Sequence, residues 1–254
     1  MPKRELRILL TNDDGYFSDG INALFDELSQ FATVFIVAPD REQSASSHSL
    51  TLNRPLRVHK IDAHRYTTDG TPTDCVMLAM HLIFSKRKPD MILSGINHGA
   101  NMGDDVTYSG TIAATIEGSI LKIPSIAVSM ANYEPGMSMA FAAQFVSRVV
   151  RAYPALGLTP STFLNINLPA DNGRPYSRYE FTRQGIRQYK DIIVHKRDPR
   201  GKPYYWIGGR PKWRRLKGSD FSAVARGIVS ITPLRLNFTD QDSLDRFRAG
   251  TYKL

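Results

Sequence analysis

Two adjacent carboxylates, Asp13 and Asp14, follow the apolar run Ile8-Leu9-Leu10 and precede Gly15. An apolar run that breaks into two acids reads as a buried strand with a charged tip. In open α/β sheets, ligands collect at the carboxyl ends of the strands. Neighbouring carboxylates repel each other, and burying both without a partner is costly. A hard divalent cation such as Mg²⁺ or Mn²⁺ removes that cost, because it favours oxygen ligands. Taken alone, the stretch also fits a solvated turn or a helix cap built from Asp and Gly. Two polar stretches further along the chain tip the balance towards a site.

The first of these runs from Gly95 through Asn97, His98, Gly99, Asn101 and Gly103 to Asp105. Glycine recurs every fourth position, but the residues between are polar, which argues against a membrane helix-packing motif. Glycines here let backbone approach a ligand, and the Asn side chains coordinate or hydrogen-bond it. Ser109-Gly110-Thr111 then opens a helix, and its free N–H groups and hydroxyls make a ready anion site. Ordinary N-capping accounts for one Ser or Thr there, not for the whole glycine- and asparagine-rich approach. The other polar stretch, Glu42 to Ser49, holds four serines and His48. No Ser-His-Asp order or Cys-His pair points to a covalent route, and His48 and His98 read as surface or hydrogen-bonding residues.

These residues need elements to hold them. Ser18 or Asp19 caps a helix with Leu24, Leu28 and Phe31 on one face. Thr33 to Ala38 is a second buried strand. Strand, helix, strand implies a right-handed crossover, which brings the serine loop to the same edge as Asp13 and Asp14. Leu50 to His59 reads as an antiparallel strand or hairpin arm. Thr73 or Asp74 caps a helix that turns Val76, Met77, Met80 and Ile83 inward, with Lys86 to Lys88 in its last turn and Pro89 as its stop. Strands follow at Met91 to Ser94, Ser125 to Ser129 and Thr162 to Leu168. Helices follow with Ile112, Ile116 and Ile120, and with Phe141, Phe145 and Val149, in register. The alternation predicts an α/β fold, a doubly wound and mostly parallel, Rossmann-like sheet. The dinucleotide fingerprint and the phosphate-loop pattern are both absent from the sequence.

The chain has 254 residues, 42% hydrophobic and 22% charged, as in ordinary globular proteins. Its net charge is +9, and residues 171–218 hold 14 Lys or Arg against 4 Asp or Glu. That segment attracts anions, either nucleic acid or small molecules, or is a solvated basic surface. Strand-like pieces at Tyr179 to Thr182, Asp191 to His195 and Tyr204 to Ile207, with turn chemistry at Asp198 to Pro203, predict a long projecting hairpin from about Tyr176 to Pro211. An exposed aromatic hairpin implies a partner subunit. Phe221 to Ala225 reads as helix, Ile228 to Ile231 as strand, and the C-terminus as a polar helix. The expected organisation is a catalytic core over 1–170, the hairpin over 171–218, and a segment over 219–254 that completes the core and dimer. No apolar run reaches the roughly 18 residues of a bilayer span, and the polar, basic stretch Met1 to Arg7 is followed by a strand pattern in place of the core and cleavage site expected of a signal peptide. One cysteine, Cys75, excludes an intrachain disulfide and suits a cytoplasmic setting.

The ordered set of stretches resembles the SurE family of metal-dependent nucleotidases. The stretches are Thr11-Asn12-Asp13-Asp14-Gly15, Ala38-Pro39-Asp40-Arg41 with Ser44, Asp69-Gly70-Thr71-Pro72-Thr73-Asp74-Cys75-Val76, Ser94-Gly95-Ile96-Asn97 through Gly110-Thr111, Asp198-Pro199-Arg200-Gly201 with Tyr205-Trp206-Ile207-Gly208, and Val229-Ser230-Ile231-Thr232-Pro233-Leu234. The resemblance implies removal of phosphate from nucleoside monophosphates, with some members also acting on short polyphosphate. It implies one divalent ion per subunit, Mg²⁺ or Mn²⁺, on Asp13, Asp14, Ser44 and Asn97. It implies a homodimer or tetramer built through the C-terminal appendage. The residues themselves then suggest a mechanism in which Asp13 or Asp14 orients or deprotonates the attacking water, Asn101 takes part in catalysis, and Asn12, Asn101, Ser109, Gly110 and Thr111 bind the phosphate. Many members carry Ala-Pro-Gly where this chain has Ser18-Asp19-Gly20. The competing reading is a nucleic-acid-binding module in which Tyr204, Tyr205 and Trp206 stack bases. An Asp-rich sheet edge, which repels a polyanion, argues against it.

Overall fold

The computed structural model describes residues 5–170, 173–188, 193–207, 212–214 and 216–250. Its elements in order are β1 (Arg7–Thr11), α1 (Asp19–Leu28), β2 (Thr33–Pro39), β3 (Val58–Lys60), β4 (Arg65–Thr68), α2 (Pro72–Leu82), β5 (Met91–His98), α3 (Gly110–Ile120), β6 (Ser125–Met130), α4 (Ala140–Ala152), β7 (Thr162–Leu168), β8 (Tyr179–Phe181), β9 (Arg187–Gln188), β10 (Ile193–Arg197), β11 (Pro203–Ile207), β12 (Lys212–Trp213), α5 (Asp220–Val224), β13 (Val229–Arg235) and α6 (Gln241–Ala249). Short 3-10 turns precede α3 at Gly103–Thr107 and follow α4 at Tyr153–Leu156.

One nine-stranded sheet carries the fold, in the order β3-β4-β2-β1-β5-β6-β7-β13-β8. Strands β4, β2, β1, β5, β6 and β7 run parallel to one another. The central strands read as continuous apolar runs because helices cover both faces. On one face α1 and α4 bury Ile8, Leu10, Ile36, Leu93, Ile126, Val128 and Ile166; on the other α2 and α3 cover Leu9, Val37 and Ile92. From β1 the chain winds outward through β2 and β4, then returns to place β5 on the other side of β1. That reversal is the topological switch point, where a crevice opens beyond the carboxyl ends of the strands. Asp13 and Asp14 follow β1, and Asn97 lies near the end of β5.

Several local expectations are corrected. Leu50 to His59 is not a continuous strand; only Val58–Lys60 pairs, antiparallel to β4. Thr71, not Thr73 or Asp74, caps α2. Its side chain accepts the Asp74 N–H while the Asp74 carboxylate accepts the Thr71 N–H, a capping box. The helix ends at Leu82, before Lys86 to Lys88, and Met77 faces out at 45% exposure while Cys75 and Ala79 face the core. Phe31 lies beyond α1 but still packs on the core. In the basic segment, Tyr179–Phe181 joins the main sheet beside β13 instead of the hairpin. The hairpin proper is β10 against β11, in register Ile193↔Ile207 to Arg197↔Pro203. Asp191 and Ile192, and the hairpin's outer limits towards Gly208 and Pro211, lie outside the described residues. No helix among the described residues is long and apolar enough to cross a membrane.

Candidate metal and phosphate site at the sheet edge

The turn after β1 is tied from within. Asn12 is fully buried, and its side-chain amide donates to the Gly15 carbonyl at 2.8 Å and to the Ser18 hydroxyl at 2.7 Å. Asn12 therefore shapes the acid-bearing turn. The serine loop is stitched to the same turn. Gln43 N–H donates to the Asp13 carbonyl at 2.7 Å, and Tyr16 N–H to the Pro39 carbonyl at 2.8 Å. The far end of that loop is held on α3 by a 3.0 Å contact between His48 Nε2 and Glu117 Oε2.

Asp13 and Asp14 sit at the switch point with different partners. The Thr111 N–H donates to Asp13 Oδ2 at 3.1 Å, and the Thr111 hydroxyl donates to Asp13 Oδ1. The positive end of α3 is thus aimed at a carboxylate. Burial pushes the Asp13 carboxyl up from its ordinary value, and the Thr111 bonds oppose that rise. Asp14 accepts the His98 N–H at 3.0 Å, with His98 Nδ1 3.6 Å from its other oxygen. Burial, then the negative charge of Asp13, pushes Asp14 up to about 7; Glu42 adds in the same direction. Asn97 turns its amide onto the Gly99 carbonyl at 2.8 Å, and its Oδ1 makes no hydrogen bond among the described residues. Ser44 is exposed, and its hydroxyl donates to Glu42 at 2.7 Å.

This donor set fits a hard cation. Two buried carboxylates lie side by side, neither forms an ion pair with Lys or Arg among the described residues, and an amide oxygen and a hydroxyl lie on neighbouring loops. Among the described residues no group of three or more His, Cys, Asp or Glu could hold a metal. Any ligand set here therefore mixes carboxylates with neutral oxygens, which suits Mg²⁺ or Mn²⁺ better than zinc.

The expected phosphate residues fall into two groups. Ser109 caps α3, accepting the Ile112 N–H at 3.2 Å. A Cβ on Gly110 would lie 2.9 Å from the Asp13 Cβ, so only glycine lets α3 come this close to the acid. Thr111 has both of its donors on Asp13 in this structure. Asn101 sits deeper, its amide donating to the Ser129 hydroxyl at 2.9 Å and its N–H to Asn167 Oδ1 at 2.9 Å. Its carbonyl accepts from Asn165 at 2.8 Å and Asn167 at 3.0 Å.

Sequence reasoning missed Glu42, Asn165 and Asn167, and set His98 aside. The two asparagines alternate within the apolar run Phe163-Leu164-Asn165-Ile166-Asn167-Leu168. Buried amides on one face of a strand were the signal that could have found them. Residue type gave no sign for His98, whose ring stacks on Tyr133 with centroids 3.8 Å apart and planes 3° from parallel.

Comparison with known proteins accords with this geometry. The family model described as "Survival protein SurE" matches residues 8–191. The "5'-nucleotidase SurE" of Geotalea daltonii is 49% identical over 241 residues, covering 94% of this chain and 96% of its own. That of Aliivibrio fischeri is 44% identical over 242 residues, covering 95% and 93%. The crystal structure of the SurE protein from Aquifex aeolicus superposes with a TM-score of 0.84 at 41% identity, covering 96% of this chain and 98% of that one. With a family match over most of its length and relatives approaching half identity from end to end, the chain belongs to the SurE family.

Proposed function

We propose that this chain is a metal-dependent phosphomonoesterase that hydrolyses nucleoside monophosphates to nucleoside and inorganic phosphate. The observation that carries the reading is the pair of adjacent, largely buried carboxylates at the switch point, uncompensated by any Lys or Arg among the described residues. The relatives' printed name, 5'-nucleotidase, points to the same substrate class. Asp13, Asp14, Asn97 and Ser44 would hold one Mg²⁺ or Mn²⁺. When bound, that ion supplies polarisation of the phosphoryl oxygen and eases deprotonation of water.

The protein's residues have distinct parts. Thr111 fixes the Asp13 carboxylate through its N–H and hydroxyl, so one acid is held still. Asp14 has the more open environment of the two acids, which suits it to orient the attacking water and take its proton. His98 N–H holds Asp14 in place. Asn101, with Ser109, Gly110 and the start of α3, would grip the phosphate. Water oxygen bonds to phosphorus, the phosphorus–oxygen ester bond breaks, and the nucleoside leaves as an alcohol carrying a proton.

The test is release of inorganic phosphate from nucleoside monophosphates, measured with metal and in excess chelator, with short polyphosphate as a second substrate. Chelator is expected to abolish release and Mn²⁺ or Mg²⁺ to restore it. Asp14→Asn is expected to lose two or more decades in turnover while staying folded, in the range of a removed general base. Full activity in excess chelator would overturn the reading.

We propose further that the chain assembles as a homodimer or tetramer through its hairpin. The support is a β10–β11 arm whose Ile193, Tyr205, Trp206 and Ile207 are all more than 60% exposed. An apolar edge of this kind is unstable alone in water.

A further inference from the structure

Between Asn101 and Ser109 the chain passes through the Gly103–Thr107 turn, and that turn is clasped by residues from far along the chain. Asp220, with no exposed surface, accepts the Gly103 N–H at 2.8 Å on one carboxylate oxygen. Its other oxygen accepts the Gly185 N–H at 3.0 Å and the Phe221 N–H at 2.8 Å. The Gln184 side chain donates to the Gly103 carbonyl at 2.8 Å, and the Arg187 N–H to Asp104 at 2.8 Å. The Arg187 guanidinium pairs with Asp105. A Cβ on Gly185 would lie 2.6 Å from the Asp220 carboxylate, so the bare Gly185 backbone packs directly against that side chain.

Helix capping does not account for Asp220. Helix α5 has five residues and is already capped by Ser219, which accepts the Ser222 N–H. A carboxylate buried without a cation is costly unless every lone pair is met, and here the donors come from three separate segments. Removing one segment strands the group, so Asp220 behaves as a lock rather than as filler. The same segments root the projecting hairpin: β9 pairs with β12, and Trp213 of β12 stacks on Phe221.

We propose that Asp220 is a positioning residue for the phosphoester reaction: by holding the Gly103 N–H it fixes the Asn101–Ser109 segment and thereby sets the grip on phosphate. This rests on the proposed function, in which Asn101 and Ser109 face the phosphate. The lock joins the hairpin root to the Asn101–Ser109 segment, and among the described residues Asp220 itself makes no hydrogen bond to Asp13 or Asp14.

Asp220→Asn is the informative variant. It keeps one acceptor oxygen for Gly185 and Phe221, and sets an amide N–H₂ against the Gly103 N–H. Phosphate release, inhibition by inorganic phosphate, calorimetric Mn²⁺ affinity and melting temperature are measured together. KM and the phosphate inhibition constant are expected to rise together by about tenfold, the scale of one hydrogen bond, with Mn²⁺ affinity as in wild type. A merely structural role lowers the active fraction, so turnover falls while both constants stay at wild type; that result overturns the proposal. Gln184→Ala, which removes the other tie on Gly103, is expected to shift the same constants and to combine non-additively with Asp220→Asn. If Asp220→Asn does not fold, unchanged constants in Gln184→Ala overturn the proposal. Should the wild-type protein release no phosphate, the functional reading fails by itself. Calorimetric binding of inorganic phosphate to wild type and variant then decides on the lock, and equal or absent binding in both overturns it.

Discussion

At the scale of single residues, the site is a contest between burial and charge. Asp14 stands at about 7 because burial and Asp13 both favour its protonated form. A carboxyl raised in the folded state stabilises the fold below its ordinary value near 4, and that contribution is lost as pH climbs through about 7. A metal needs the ionised form and displaces the proton. The expected result is calorimetric Mn²⁺ affinity that rises with pH up to the neighbourhood of 7 and levels off above it, with proton release on the acid side. Affinity flat between pH 5 and 8 would contradict this. Gly110 makes the other residue-scale prediction. A Val there would push α3 away from Asp13 and close the approach to the helix end, so Gly110→Val is expected to cripple turnover and weaken phosphate inhibition. Thr111→Ala removes one hydroxyl donor from Asp13 and leaves the backbone N–H. It is expected to cost about one to two decades in rate, the scale of one hydrogen bond to a charged group. A wild-type-like phosphate inhibition constant in folded Gly110→Val would place phosphate elsewhere.

At the scale of elements, the hairpin carries the clearest prediction. Deleting Ile193–Ile207 is expected to shift the protein to a smaller species in sedimentation equilibrium, with phosphate release per chain measured alongside; an unchanged oligomer would rule out assembly through this arm. Elements were also where the sequence was most legible. β7 spans Thr162 to Leu168 as its sequence and flanking Pro169 indicate, and β1, β2, β5 and β6 each show a short apolar run, although β5 continues beyond the expected Met91 to Ser94 as far as His98. Short pieces were harder. The α2 cap lies at Thr71 because a reciprocal bond with Asp74 outcompetes the two candidates further on. Tyr179–Phe181 has the alternation of a hairpin arm, yet it joins β13, a partner about 50 residues away that local pattern cannot reveal. Within the site, Asp13, Asp14 and Asn97 stood out because a charge or an amide breaks an apolar run at a strand end, and Thr111 because it is a hydroxyl at a helix start. Asn165, Asn167 and Asp220 were not, because their meaning lies in long-range contacts with Asn101 and Gly103.

At the scale of the whole molecule, the sheet is completed by a strand from near the end of the chain. β13 lies between β7 and β8, antiparallel to the first and parallel to the second. It buries Val229 and Ile231 in the main core. A chain ending at residue 218 is expected to bind hydrophobic dye strongly and to precipitate, because β7 becomes an open edge and β8 loses its neighbour in the sheet. A soluble fragment with native Mn²⁺ affinity would contradict that. The order of the strands also sets a timetable for biosynthesis. Asp13, Asp14, Ser44, Asn97 and Thr111 all leave the ribosome before β7 is made, whereas β13 comes only after the basic hairpin has emerged. For that interval the nascent chain offers a bare β7 edge beside a half-assembled acidic crevice. The acids, amide and hydroxyls of the crevice exist well before the frame that holds them, so the native crevice belongs only to a chain that already includes β13.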